Sequence, residues 1–212
     1  MTTYEQLPEE QMTGRYLANG DEVQLFERAF QRRLPVMLTG PTGCGKTRLV
    51  EHMGTQLRRP VVTISCHDDL TSADLVGRFM VTGGDVAWTD GPLTRAVKAG
   101  AICYLDEVVE ARHDSLAVLH SLTDHRRTLY LDRADEVVAA PETFMLVCSY
   151  NPAYRSSLKE LKPSFRQRFV TLPMRYLPAD QEAARQAAPR FRVLGTEGPH
   201  QVSWSAPTCR LG

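Results

Sequence analysis

Apolar residues along this chain fall into two rhythms. Over DEVQLFERAFQRRL, Val23, Phe26, Phe30 and Leu34 recur every three or four positions, the period of an amphipathic helix. Five later runs are apolar at nearly every position: Val36–Thr39 and residues 61–66, 101–105, 144–149 and 169–172. A strand that is apolar on both alternating faces belongs in a sheet covered on both sides. Helical patterns lie between several of these runs, notably over residues 46–58 and 114–123. Strand alternating with helix predicts an α/β fold with a parallel sheet flanked by helices.

Two segments interrupt the alternation. FMVTGGDVAWTDGPL sets short extended pieces about Gly83 and Gly84, and TLYLDRADEVVAAPETF does the same about residues 132–135. Each reads as a β-hairpin insert or as plain loop decoration. Beyond Pro178 the character changes. DQEAARQAA suits a short helix, but PRFRVLGTEGPHQVSWSAPTCRLG scatters Pro, Gly, Ser and Arg without a period, which predicts a disordered or weakly attached tail.

Composition narrows the function classes. The 212 residues suit one domain of ordinary size with a small appendage. Lys plus Arg equals Asp plus Glu, 25 each, so net charge gives no bulk attraction to nucleic acid or to an anionic membrane. Neither is expected as a partner. The five cysteines, Cys44, Cys66, Cys103, Cys148 and Cys209, include no CxxC pair, and an odd count suits a reducing compartment. Cys103 and Cys148 sit in apolar runs and read as core residues. The six histidines have no zinc-like spacing with the cysteines. No apolar run approaches the roughly 18 residues that span a bilayer. The polar, acidic MTTYEQLPEEQ is not a secretory leader. A soluble, cytoplasmic protein is expected.

The first apolar run leads into Gly40, Pro41, Thr42, Gly43, Cys44, Gly45, Lys46 and Thr47, which satisfy GxxxxGK[ST]. Glycines let the backbone wrap closely and turn successive N–H groups toward phosphate oxygens. The helix that follows adds its free N–H groups and positive dipole end. Lys46 would reach the β- and γ-phosphates and the Thr47 hydroxyl would bind Mg²⁺. A chance match in such a chain is on the order of 1% from average composition. These eight residues and Arg48 after them are the expected ATP-binding set. Cys44 would contribute mainly backbone, with a redox-switch role as the other reading.

About 60 residues on, AICYLDE ends a strand in Asp106 and Glu107. Asp106 fits the strand-end aspartate that holds a phosphate-bound Mg²⁺. Glu107, turned elsewhere by strand alternation, is placed to activate water. MLVCSYNPA ends another strand in Asn151, whose amide could bridge water and γ-phosphate or could simply serve the turn before Pro152. SFRQRF offers Arg166 and Arg168, either surface residues or a guanidinium donated to a neighbouring subunit, with Arg168 favoured.

Together GPTGCGKT, ICYLDE, SYNP and SFRQRF resemble the Walker A, Walker B, sensor-1 and arginine segments of an AAA+ P-loop ATPase. HDDLTSADLVGRF and GGDVAWTDGPLTRAVKAGAICYLDEVVEAR are similar to the MoxR branch, nearest its CbbQ/NorQ subgroup. The match runs over residues 16–177. The resemblance implies a five-stranded parallel sheet of order 5-1-4-3-2. It implies a homo-oligomeric ring, commonly a hexamer, with Mg²⁺ and ATP between subunits. It makes the hairpins near residues 79–88 and 128–140 the helix-2 and pre-sensor-1 inserts, facing the remodelling side of the ring. It also implies a von Willebrand factor A adaptor of the CbbO or NorD kind. The implied client is Rubisco carrying an inhibitory sugar phosphate, or an immature metalloenzyme such as nitric oxide reductase, with Rubisco favoured.

The family continues into a helical lid with a sensor-2 arginine. Here residues 1–177 read as the ATPase core and residues 178–212 as an atypical tail in place of that lid, as in a truncated or frame-altered product. An ATP-binding module with impaired hydrolysis therefore stands beside the remodelling ATPase. A nucleic-acid motor would want basic and aromatic inserts, whereas these carry mixed charge. A small-molecule kinase would lack the strand-end Asn and need an acceptor lid.

Overall fold

A computed structural model describes residues 16–154 and 161–178. Of the tail expected over residues 178–212, only Pro178 lies among them; Cys209 does not.

The chain enters through α1 (Glu22–Gln31), whose Val23, Phe26 and Phe30 face inward with Ala29. The stripe stops there. Arg33 takes a left-handed φ of 57°, and the N–H groups of Arg33 and Leu34 bond back to Phe30 and Ala29. That is a Schellman closure, and it throws Leu34, expected on the same face, out to 40% exposure. Strand β1 (Val36–Thr39) follows, then α2 (Lys46–Gln56) and β2 (Val61–Ser65). The expected helix over 46–58 ends two residues early for the same reason, with Arg58 left-handed at φ 52°.

A capping box between Thr71 and Asp74 starts the short α3 (Ser72–Val76). The first hairpin, β3 (Gly77–Thr82) and β4 (Asp85–Asp90), turns on Gly83 and Gly84, both at positive φ. Then come α4 (Pro92–Ala99), opened by a proline in its first turn, and β5 (Ile102–Asp106). The second hairpin is β6 (Thr128–Leu131) with β7 (Glu136–Ala139). Strand β8 (Met145–Tyr150), the four-residue α5 (Pro163–Arg166) and β9 (Val170–Pro173) complete the strands and α-helices among the described residues.

Residues 114–123 do not form the expected α-helix. A 3-10 helix covers Ser115–Leu119 and turns follow. Leu116, Leu119 and Leu122 are all buried at intervals of three, which matches three residues per turn better than 3.6. Thr123 Oγ1 donates to the His120 carbonyl at 3.0 Å, competing with a longer helical ladder, while Ser115 Oγ is drawn away to the Leu70 carbonyl at 2.5 Å.

The central sheet runs β2-β5-β8-β1-β9, and every pairing is parallel. Numbering these five strands by their own sequence order and reading from the other edge gives 5-1-4-3-2, as the resemblance implied. The period of two now explains the unbroken apolar runs. Val36, Leu38, Ile102, Tyr104 and Val147 turn to one face with Phe26, Leu49 and Met53. Met37, Cys103, Leu105, Leu146 and Cys148 turn to the other with Leu93, Val97 and Phe165. Each fully buried aliphatic contributes about 1.5–3 kcal/mol, so the two-faced core dominates the stability of the sheet.

Both hairpins pair only with themselves. One cation joins them: Lys98 of α4 lies 3.0 Å from Asp90 at the base of the first and 3.3 Å from Glu136 in the second. The first hairpin leaves Phe79, Met80, Val81 and Val86 exposed. Among the described residues no helix is long and apolar enough to cross a membrane.

Candidate functional site

Strand β1 lies at the interior of the sheet, between β8 and β9, so the loop after it is held from both sides. Gly40 receives support from β8, its N–H bonding the Tyr150 carbonyl at 3.3 Å. On the other side the backbone after β9 presses close: a side chain at Gly40 would begin 2.5 Å from the Met174 carbonyl oxygen. Gly45 stands at φ 97°, a left-handed geometry that lets the loop turn straight into α2. The exposed end of this turn carries Thr42, Gly43 and Arg48; Pro41, Cys44, Gly45 and Thr47 are half-buried.

Lys46 is buried, and its ammonium donates to the carbonyls of Gly40 at 2.9 Å and Pro41 at 3.0 Å. The charge is thus folded into the mouth of the loop. Thr47 Oγ1 lies 3.4 Å from the Tyr104 hydroxyl, which donates to Asp106 Oδ1 at 2.7 Å. Burial, then the bond to Asp106, pushes the Tyr104 phenol above its ordinary value, so it remains a proton donor. Ser149 Oγ donates to the same carboxylate oxygen at 2.5 Å. Two contacts therefore link the threonine of the loop to the strand-end aspartate.

Glu107 departs from the expected geometry. Strand β5 ends at Asp106, and Glu107 takes the left-handed conformation at φ 57° and ψ 48°. Its direction is set by this turn and not by strand alternation. Its N–H donates to Ser149 Oγ at 3.1 Å. Asn151 serves the turn and also reaches the phosphate loop. Its Oδ1 accepts from the Ala153 N–H at 3.0 Å, which fixes the turn, and its Nδ2 donates to Thr42 Oγ1 at 3.2 Å in the loop.

The arginines lie apart from this network. Arg166 is exposed. Arg168 donates to the carbonyls of Ser164 and His120, both at 3.2 Å, and its guanidinium is 3.7 Å from Asp124. The Asp124 carboxyl is held down to about 2, chiefly by hydrogen bonds from Arg126. Arg168 is therefore tied to its own chain, while Arg166 points into solvent.

Sequence reasoning missed four residues that complete the site. Tyr104 and Ser149 sit in strands read as apolar, and their single polar atoms were the available signal. Tyr176 donates its hydroxyl to the Thr42 carbonyl at 2.9 Å from 134 residues away. Tyr16 bonds Glu22 at 2.8 Å, stacks on His52 with ring centroids 5.4 Å apart, and borders Gly45.

The residues present fit a magnesium nucleotide. A hydroxyl and a carboxylate stand beside a glycine-rich turn and a buried ammonium. Among the described residues no cluster of three or more His, Cys, Asp or Glu could cage a metal. Mg²⁺ in such sites takes one or two protein ligands and fills its octahedron with phosphate oxygens and water.

Cys44 carries a separate expectation. Burial raises its thiol above the ordinary value, against the lowering pull of Lys46. At neutral pH it holds less thiolate than a free cysteine, so alkylation by iodoacetamide should be slow. The rate should keep climbing at pH values where an ordinary thiol has levelled off. A fast, pH-independent reaction near neutrality would instead favour the redox-switch reading.

Residues 35–169 match the AAA domain family, dynein-related subfamily. The chain belongs to the AAA+ ATPases. Relatives place it more finely. It is 56% identical over 184 residues to Protein NorQ of Paracoccus denitrificans, covering 85% of this chain and 68% of that one. It is 56% identical over 168 residues to the denitrification regulatory protein NirQ of Pseudomonas aeruginosa, covering 79% and 65%. It is 53% identical over 168 residues to Protein CbbQ of Hydrogenophilus thermoluteolus, covering 79% and 63%. This AAA+ chain is thus of the MoxR type, in the CbbQ/NorQ subgroup, and spans about two thirds of the length of these relatives. A crystal structure of a Cytophaga hutchinsonii protein, described as an ATPase, shares the AAA+ fold. Its TM-score is 0.65 at 17% identity, over 84% of this chain and 52% of that one.

Proposed function

We propose that this AAA+ chain binds Mg·ATP at residues 40–48 and hydrolyses it to remodel a partner protein. The supporting observation is the hydrogen-bond network that gathers the loop, both acids and Asn151 at one end of the sheet. Lys46 leaves its loop carbonyls to meet the β- and γ-phosphates. Thr47 and Asp106 would hold the ion, which would neutralise phosphate charge when bound. Glu107 orients and deprotonates the attacking water, and Asn151 holds that water against the γ-phosphate. An arginine from a neighbouring copy completes the site in a ring. Arg168 was the favoured finger on sequence; the exposure of Arg166 supports Arg166 as the one offered in trans.

Residues 1–177 act as the ATPase core, and residues 178–212 stand where the family has its lid. Hydrolysis drives the two hairpins against a client, with a von Willebrand factor A adaptor. Two clients are supported. The relative named CbbQ supports Rubisco; those named NorQ and NirQ support nitric oxide reductase.

The test is ATP turnover per chain at rising protein concentration. A ring with trans arginines should show specific activity that climbs and then levels. A flat, near-zero profile with ATP still bound would favour the hydrolytically silent module. Adding inhibited Rubisco or immature reductase, each with its adaptor, should then separate the clients by which one gains activity.

A further inference from the structure

Glu107 sits in a backbone conformation that only glycine adopts freely, since φ 57° crowds any Cβ against the following carbonyl. Something must hold it there. Two contacts reach this peptide from outside the turn: the Cys66 N–H bonds its Asp106 carbonyl at 3.0 Å, and a side chain of β8 takes its N–H. Ser149 is fully buried, and its Oγ accepts the Glu107 N–H at 3.1 Å. The hydroxyl has one proton, and that proton goes to Asp106 Oδ1 at 2.5 Å. Spending it there leaves the oxygen lone pairs facing the Glu107 peptide. Asp106, whose oxygen is also bonded by Tyr104, therefore aims the serine, and the serine pins the glutamate.

The position of Ser149 along β8 adds to this. Two residues further on, Asn151 holds Thr42 in the phosphate loop, and Tyr150 between them accepts from Gly40. Three consecutive residues on one strand end thus reach the glutamate turn and the loop. The geometry points to Ser149 as a positioning residue that fixes the direction of the Glu107 carboxylate through its backbone. The inference rests on the proposed role of Glu107 as the group that activates water. Ser149 itself touches neither nucleotide nor water in this account.

The experiment is steady-state ATP hydrolysis by the full chain, comparing Ser149→Ala, Ser149→Cys, Glu107→Gln and the Glu107→Gln/Ser149→Ala double variant. Ser149→Ala should lower kcat about tenfold, the loss expected when one oriented hydrogen bond goes. KM for ATP should stay within about twofold, because the phosphate loop is untouched and Asp106, though it loses the serine bond, keeps its bond from Tyr104. Ser149→Cys fills nearly the same space with a weak donor and acceptor, so it should follow Ser149→Ala, and it supplies the reading if the alanine variant fails to fold. In the Glu107→Gln background Ser149→Ala should cost nothing further, since the group it positions has gone.

Losses that multiply in the double variant would overturn the inference, as would serine variants within twofold of the parent kcat while Glu107→Gln is slow. Either result would leave the role of Glu107 standing. Full turnover by Glu107→Gln alone would instead remove the role of Glu107, and the inference with it.

Discussion

Glu107→Gln is expected to keep ATP affinity within about twofold and to slow hydrolysis by about 10²–10⁴-fold, the range that a positioned general base supplies. The substitution preserves volume and leaves the backbone intact. The Glu107 N–H, its bond to Ser149 and its left-handed turn all survive, because none involves the side-chain carboxylate. Only the basic oxygen is lost. In the proposed reading, binding rests on other groups: the loop N–H groups, the Lys46 ammonium and the Thr47 hydroxyl. The measurements are nucleotide titration by calorimetry and phosphate release. Unchanged turnover would show that the carboxylate plays no part in chemistry, and a matching loss of affinity would show that the variant damaged the loop.

Leu38→Ala is expected to lower unfolding free energy by about 2–5 kcal/mol, the usual cost of emptying a leucine site that cannot collapse. Leu38 has no exposed surface and lies on β1 opposite Ser149 of β8 and Leu172 of β9. It packs in the cluster with Phe26, Leu49, Val50 and Met53. Parallel strands on both sides and helices above hold the walls apart, so a cavity persists. With about 2–4 °C of Tm per kcal/mol in domains of this size, melting should fall by roughly 4–20 °C. Leu25→Ala, at a site on α1 that is 40% exposed, should shift melting little by comparison. Equal shifts for the two variants would contradict the burial described here.

The fold was readable where one signal controlled the outcome. Five apolar runs could only be strands of a doubly covered sheet, and the glycine spacing of residues 40–45 matched one loop geometry. The two hairpins were legible because Gly83-Gly84 and residues 132–135 separate alternating segments. Where two signals competed, sequence alone could not rank them. Leu34 continued an apolar period, yet the Schellman closure ended α1 before reaching it. Residues 114–123 had helical composition, but leucines spaced by three and bonding hydroxyls chose the tighter coil.

The site divides in the same way. Lys46, Thr47, Asp106 and Asn151 were proposed from local spacing and strand ends, and the structure brings them to one end of the sheet. Tyr104 and Ser149 were not proposed, because each is one polar atom in an apolar strand, and its partner arrives only when strands pair. The ground given for the direction of Glu107, strand alternation, does not apply, for a similar reason. Alternation holds inside a strand, and Glu107 lies one residue past the end.

Lys98 gives the inserts a common anchor. An ammonium shared by Asp90 and Glu136 means that neither hairpin can swing outward without surrendering an ion pair to water. Partly exposed pairs of this kind are worth about 0.2–1 kcal/mol each, little more than thermal energy. The tie thus biases the two arms toward one arrangement at rest without locking it, and the bias fades as ionic strength rises.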